Sequence, residues 1–99
     1  MATAVFSRLA EADLDEIVAY AARDKPAAAA RLVRRIRQTC DALAANPQMG
    51  DRRTEFASNV LRSFTVASYV IFFRAANDGI EVARILSGYR DWRTTIKRS

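Results

Sequence analysis

Histidine is missing from the sequence altogether, and with it go the commonest general base and the commonest metal ligand. A triad that needs an imidazole is therefore excluded. Cysteine occurs once, as Cys40, so no disulfide can close within the chain, which suits a reducing compartment. Cys40 falls in an apolar helical stripe and reads as a small core residue rather than a nucleophile. The three glycines, Gly50, Gly79 and Gly88, stand far apart, which rules out a glycine-rich phosphate loop. No apolar run approaches the ~18 residues of a membrane span. The first seven residues lack the charged and hydrophobic regions of a secretory signal. These absences point to a cytoplasmic chain without metal, cofactor or membrane partner.

Lysine is scarce as well: of 16 basic residues only Lys25 and Lys97 are lysine, and the rest are arginine. With 11 acidic residues the formal charge is +5. Arginine presents a planar fork that grips phosphate or carboxylate through two parallel hydrogen bonds. Such a surface suits nucleic acid or an acidic protein partner; the plainer alternative is a solvated surface. The hydrophobic fraction of 51% and charged fraction of 27% are those of a globular protein, and 99 residues suffice for one core. Residues 1–99 are expected to form a single domain, with no repeat, linker or boundary.

Residues Thr3 to Phe6 read as a short strand, and Ser7 offers an N-cap oxygen for a helix over Arg8 to Arg23. Leu14, Ile17, Val18 and Ala21 recur at helical spacing, and Glu11, Asp13, Asp15 and Glu16 complement the positive end of that helix. Pro26 opens a second helix that runs to Ala45. Its apolar stripe is Ala29, Leu32, Val33, Ile36, Cys40 and Leu43, with Arg31, Arg34, Arg35 and Arg37 mostly off it. The short turn between the helices predicts an antiparallel hairpin. Asp51 to Asn59 reads as a loop. Strands are expected at Val60 to Phe64, Tyr69 to Ala75 and Ile80 to Leu86, the last two joined by the Asn77-Asp78-Gly79 turn. Alternation places Ile80, Val82 and Leu86 on one face. A short helix is expected over Tyr89 to Ile96. The fold class is thus α+β, a helical hairpin packed on a small, mainly antiparallel sheet.

The sheet side supplies Arg62, Arg74, Arg84 and Arg90 with Tyr69 and Tyr89, a set able to hold phosphates or acidic side chains. Without histidine, these arginines and tyrosines are the groups left for a nuclease. Arg90 follows Ser87-Gly88-Tyr89 at the exit of the last strand, where functional residues often gather. Trp92 is either an anchor of the tail on the sheet or an exposed aromatic contact for a partner.

The run Ala12 to Gly50, with Ala12-Asp13-Leu14-Asp15-Glu16-Ile17 and Asn46-Pro47-Gln48-Met49-Gly50 as its most telling pieces, resembles the helical hairpin of the RelE/ParE toxins of type II toxin–antitoxin systems. Leu61-Arg62-Ser63-Phe64, Tyr69-Val70-Ile71-Phe72-Phe73-Arg74 and Ile80 to Asp91 follow the ParE-like pattern of strands, and the likeness covers nearly the whole chain. It implies a β-α-α-β-β-β fold and a bacterial cytoplasmic toxin that arrests growth. It also implies a cognate, ParD-like or similar antitoxin from the same operon, held in a hetero-oligomer.

In the ParE-like branch the target is DNA gyrase and the toxin is a binder rather than an enzyme. In the RelE-like branch it is an endoribonuclease acting on the ribosome. RelE-type cleavage is implied to use lysines in the second strand, an arginine after the position of Tyr69 and a tyrosine near the C-terminus. Here Val60 to Phe64 has no lysine, and the other two positions hold Val70 and Ile96. The ParE-like reading is favoured, with target contacts at Arg90, Trp92, Arg93, Arg74 and Arg84. Arg90, Arg62 and Tyr89 are the catalytic candidates if the chain is a nuclease. A third reading is a degenerate member that acts mainly in the antitoxin complex and in autoregulation of its operon. Antitoxin contacts are expected at Leu14, Ile17 and Val18, with acidic groups meeting Arg31, Arg34 and Arg35.

Overall fold

A computed structural model describes residues 2–54, 61–88 and 92–97. Strand β1 (Thr3–Phe6) leads through Ser7 into helix α1 (Arg8–Ala22), followed by α2 (Pro26–Ala45) and a short 3-10 turn at Pro47–Met49. Strands β2 (Asp51–Arg52), β3 (Arg62–Val66), β4 (Tyr69–Ala76) and β5 (Gly79–Ser87) come next, and α3 (Trp92–Lys97) closes the order. The α+β class and mainly antiparallel sheet match the sequence reading. The sheet runs β1-β5-β4-β3-β2, with β1 parallel to β5 and every other pairing antiparallel.

Helix α1 begins where Ser7 caps it, the Ser7 Oγ accepting from the Ala10 amide at 3.0 Å. Pro26 stands at the first position of α2, where its missing N–H costs nothing. The buried stripe of α1 is Ala10, Asp13, Leu14 and Ile17, and that of α2 includes Ala29, Ile36, Cys40 and Leu43. Of these, Ala10, Leu14, Ile17, Ile36, Cys40 and Leu43 meet Ile71, Phe73, Ile80, Val82 and Ile85 from the sheet to form the main core. Full burial of one such aliphatic or aromatic side chain is worth about 1.5–3 kcal/mol. Cys40 is fully enclosed; burial, and secondarily the Asp41 carboxylate, push its thiol up to about 12. It is inert packing at neutral pH.

The opposite face of the sheet carries a second apolar cluster of Leu61, Val70, Phe72 and Leu86, against which Ala83 and Ile96 of α3 pack. Here the structure corrects the expected alternation of β5. Phe72 faces Arg84 but Phe73 faces Val82, so Ala83 is an extra residue in the ladder. This bulge shifts the period by one. Ile85, not Leu86, joins Ile80 and Val82 under the helices, and Leu86 turns to the far face.

Two further boundaries differ. The stretch read as a loop from Asp51 begins with the two-residue strand β2, paired through Asp51–Ser63 and Arg52–Arg62. It has no apolar alternation, so nothing but the backbone ladder marks it. Strand β3 runs from Arg62 to Val66, two residues past the expected end at Phe64, while the expected first residue, Val60, lies outside the described residues.

Two turn positions have opposite stereochemical standing. Gly79 has φ +148°, and a Cβ there would run into the Thr3 backbone of β1. Ala67, in the turn between β3 and β4, holds φ 54° without being glycine. Gly79→Ala is therefore expected to lower stability by about 1–3 kcal/mol. Ala67→Gly should leave it unchanged or raise it by up to about 1 kcal/mol. Urea unfolding of the two variants checks both signs.

Candidate functional site

The arginines of the sheet have distinct surroundings, and these decide what each can do. Arg84 lies 12% exposed beside Asp13, itself 6% exposed. Its Nε donates to Asp13 Oδ2 at 2.7 Å and its second terminal nitrogen to Oδ1 at 2.9 Å, a two-pronged pair. The same Oδ2 accepts the Ile85 amide at 3.0 Å. The hydrogen bond to Asp13 pushes the Arg84 guanidinium above its ordinary value, against the opposing effect of burial. Arg84 thus joins α1 to β5.

Arg74 pairs across the β4–β5 ladder with Glu81, its Nε at 2.7 Å from Oε1. The two side chains are 47% and 37% exposed, so this pair contributes about 0–1 kcal/mol and leaves Arg74 accessible. Arg62 is half-buried on the helix side of β3 and donates to the Gly50 carbonyl at 3.0 Å. Arg53 Nε donates to the buried Ser63 Oγ at 2.6 Å. Arg62, Arg74 and Arg84 therefore occupy three separate environments and do not converge on one point.

Arg90 and Tyr89 lie outside the described residues. Trp92 and Arg93 stand at the start of α3, and their side chains are likewise outside the description. The positions where the resemblance implies an arginine and a tyrosine for a nuclease are placed: Val70 and Ile96 both belong to the apolar cluster on the far face of the sheet. Val70 packs there with Leu61, Phe72 and Leu86, and Ile96 against them, so neither position presents a group able to move a proton.

On the hairpin, Leu14 is 2% exposed and Ile17 8%, packed into the core between α2 and the sheet, so they point inward; Val18 is half-buried. Arg31, Arg34 and Arg35 are all exposed and follow i, i+3, i+4 spacing, which puts them on one side of α2. None of the three has a carboxylate partner among the described residues. Arg37, one turn further, instead covers the Phe6 ring at 5.1 Å and approaches Glu11 at 3.8 Å. The α2 face is the cationic surface available to an acidic partner, whereas α1 carries Glu11, Asp13, Asp15 and Glu16. Among the described residues no helix is long and apolar enough to cross a membrane.

The bond between Asp13 and Arg84 is the structural feature that sequence reasoning missed. The signal was present: Asp13 sits at i+3 from Ala10 and one residue before Leu14, on the buried stripe of α1. A carboxylate there must find a cation or an amide. Asp13→Ala is expected to cost about 3–5 kcal/mol, because it leaves Arg84 without its carboxylate in a nearly buried position. Asp15→Ala, one residue pair along on the exposed face, should change stability by less than about 0.5 kcal/mol. Chemical denaturation of both variants makes the comparison.

Residues 4–92 match the family model for the ParE toxin of type II toxin–antitoxin systems, parDE. A candidate toxin of Sinorhizobium fredii, Y4kP, is 37% identical over 79 residues, covering 80% of each chain. A chain in the structure of a chromosomal ParDE toxin–antitoxin system from P. aeruginosa superposes with a TM-score of 0.72 at 24% identity, covering 88% of this chain and 96% of that one. The last comparison speaks to the fold.

Proposed function

The chain belongs to the ParE toxin family of type II toxin–antitoxin systems, and from that premise we propose that it is a cytoplasmic toxin that inhibits DNA gyrase by binding, arrests growth and is neutralised by a cognate antitoxin. The observation that carries the inhibitor reading is the far face of the sheet. A nuclease of the related branch would need polar groups at the positions of Val70 and Ile96, and here both pack into hydrocarbon with Leu61, Phe72 and Leu86. General acid–base catalysis requires a titratable group within hydrogen-bond reach of the reacting atom. Arg84 is committed to Asp13 and Arg62 to the Gly50 carbonyl, which further separates the candidate set. A binder has no such requirement. It needs accessible contacts, for which Arg74 on the hairpin and Arg90, Trp92 and Arg93 in the tail are the proposed residues.

The antitoxin is proposed to lie along the hairpin, with acidic groups against Arg31, Arg34 and Arg35 and apolar contact near Val18. Desolvated arginine–carboxylate pairs at such a surface give register and on-rate, and rim pairs add modestly to affinity. The inward packing of Leu14 and Ile17 limits their part to shaping the hairpin.

Purified toxin should abolish supercoiling by gyrase in a dose-dependent way. Unimpaired supercoiling at large excess of folded toxin, together with mRNA cut on translating ribosomes, would establish the endoribonuclease alternative instead. For the antitoxin, changing Arg31, Arg34 and Arg35 together to glutamate should weaken binding by roughly tenfold or more and flatten its salt dependence. Unchanged affinity and an unchanged salt slope would place the acidic contacts elsewhere.

A further inference from the structure

Strand β2 brings Arg52 directly opposite Arg62 of β3. The neighbouring contacts fix what kind of pair this is. The Arg53 amide donates to the Leu61 carbonyl at 2.8 Å, so residues 53 and 61 form a hydrogen-bonded pair. Hydrogen-bonded and non-hydrogen-bonded pairs alternate along an antiparallel ladder, so Arg52 and Arg62 form the close kind, with Cα atoms about 4.5 Å apart. Their side chains leave the same face of the sheet. It is the helix side, because Arg62 also pairs with Phe73 of the main core. Asp51 is paired with Ser63 and belongs to the other face, where Arg53 Nε meets the Ser63 hydroxyl.

Two like charges directly opposite each other repel. Neither Arg52 nor Arg62 has a carboxylate partner among the described residues. Arg62 gives one N–H to the Gly50 carbonyl, which fixes its guanidinium and leaves its other N–H groups to donate; Arg52 is exposed. We propose that this arginine pair is a contact for a backbone phosphate of duplex DNA. A phosphate between the two guanidinium forks removes the repulsion and accepts from both, which one carboxylate oxygen pair does less completely. Such a contact positions the protein on a duplex without reading its sequence. A chain of net charge +5 adds a general attraction to the same polyanion. The choice of DNA rests on the reading of DNA gyrase as the target; the anion site itself rests on the register of β2 and β3.

The test uses the full-length protein and a short fluorescent duplex DNA of mixed sequence, followed by anisotropy across a salt series. Saturable binding is expected. Arg52→Gln should weaken it by about tenfold and lower the slope of log affinity against log salt by about 1. Arg52 is exposed, so this variant retains the fold. Arg8→Gln removes the same charge from the exposed start of α1 and should change affinity by less than about twofold. Absent binding, or an equal loss from Arg8→Gln, would overturn the proposal. Tighter binding of a single-stranded RNA of equal length, or displacement of the DNA by a poly-glutamate peptide of equal charge, would overturn it as well. The gyrase reading is judged separately, by supercoiling: loss of inhibition there leaves the binding result standing.

Discussion

One carboxylate, that of Asp13, joins the two layers of the molecule. The parallel pairing of β1 with β5 ends at Phe6 and Val82, where the chain must turn through Ser7 into α1. From there the outer edge of β5 has no neighbouring strand among the described residues, yet its amides and carbonyls still need partners. Ser7 begins the replacement: its amide donates to the Val82 carbonyl at 2.9 Å and its hydroxyl to the Ala83 carbonyl at 2.8 Å. Asp13 continues it two turns into the helix by accepting the Ile85 amide and the Arg84 guanidinium together. The bulge at Ala83 falls at this same place and turns Ile85 inward and Leu86 outward. Both apolar clusters therefore depend on how α1 closes the open edge of β5.

That arrangement divides the arginines by task. A guanidinium paired within the fold, as in Arg84, is a structural bolt and has little left for a partner. Those bonded to backbone or hydroxyl oxygens, Arg62 and Arg53, shape the β2–β3 edge. On the exposed face of α2, Arg31, Arg34 and Arg35 have no carboxylate partner among the described residues, and α1 gathers acidic residues instead. The hairpin is thus electrically two-sided. A partner of mixed charge can be held in one orientation by such a surface, since the wrong orientation brings like charges together.

Much of this was legible in the sequence because it rests on local chemistry. Pro26 and Asn46-Pro47 bound α2 to the residue, Ser7 marked the start of α1, and Asn77-Asp78-Gly79 marked the hairpin between β4 and β5. What was not legible depends on contacts across the chain. Strand β2 is two charged residues whose membership in the sheet is made by backbone bonds to β3. The outward turn of Leu86 follows from a bulge that period-two counting cannot see. Arg84 looked like an accessible strand-face residue because its partner lies 71 positions away. Asp13 looked like a helix-dipole residue, although its place on the apolar stripe already marked it as buried.

Asp13 holds the open edge of β5 against α1 in the native state. Native-state hydrogen exchange at the Ile85 amide tests it most directly, because that amide has a side-chain carboxylate as its acceptor where a strand would otherwise be. Ile85 should exchange as slowly as the ladder amides at the centre of β4 and β5, through global unfolding. Exchange at Ile85 much faster than at those amides, in a protein otherwise fully folded, would contradict it.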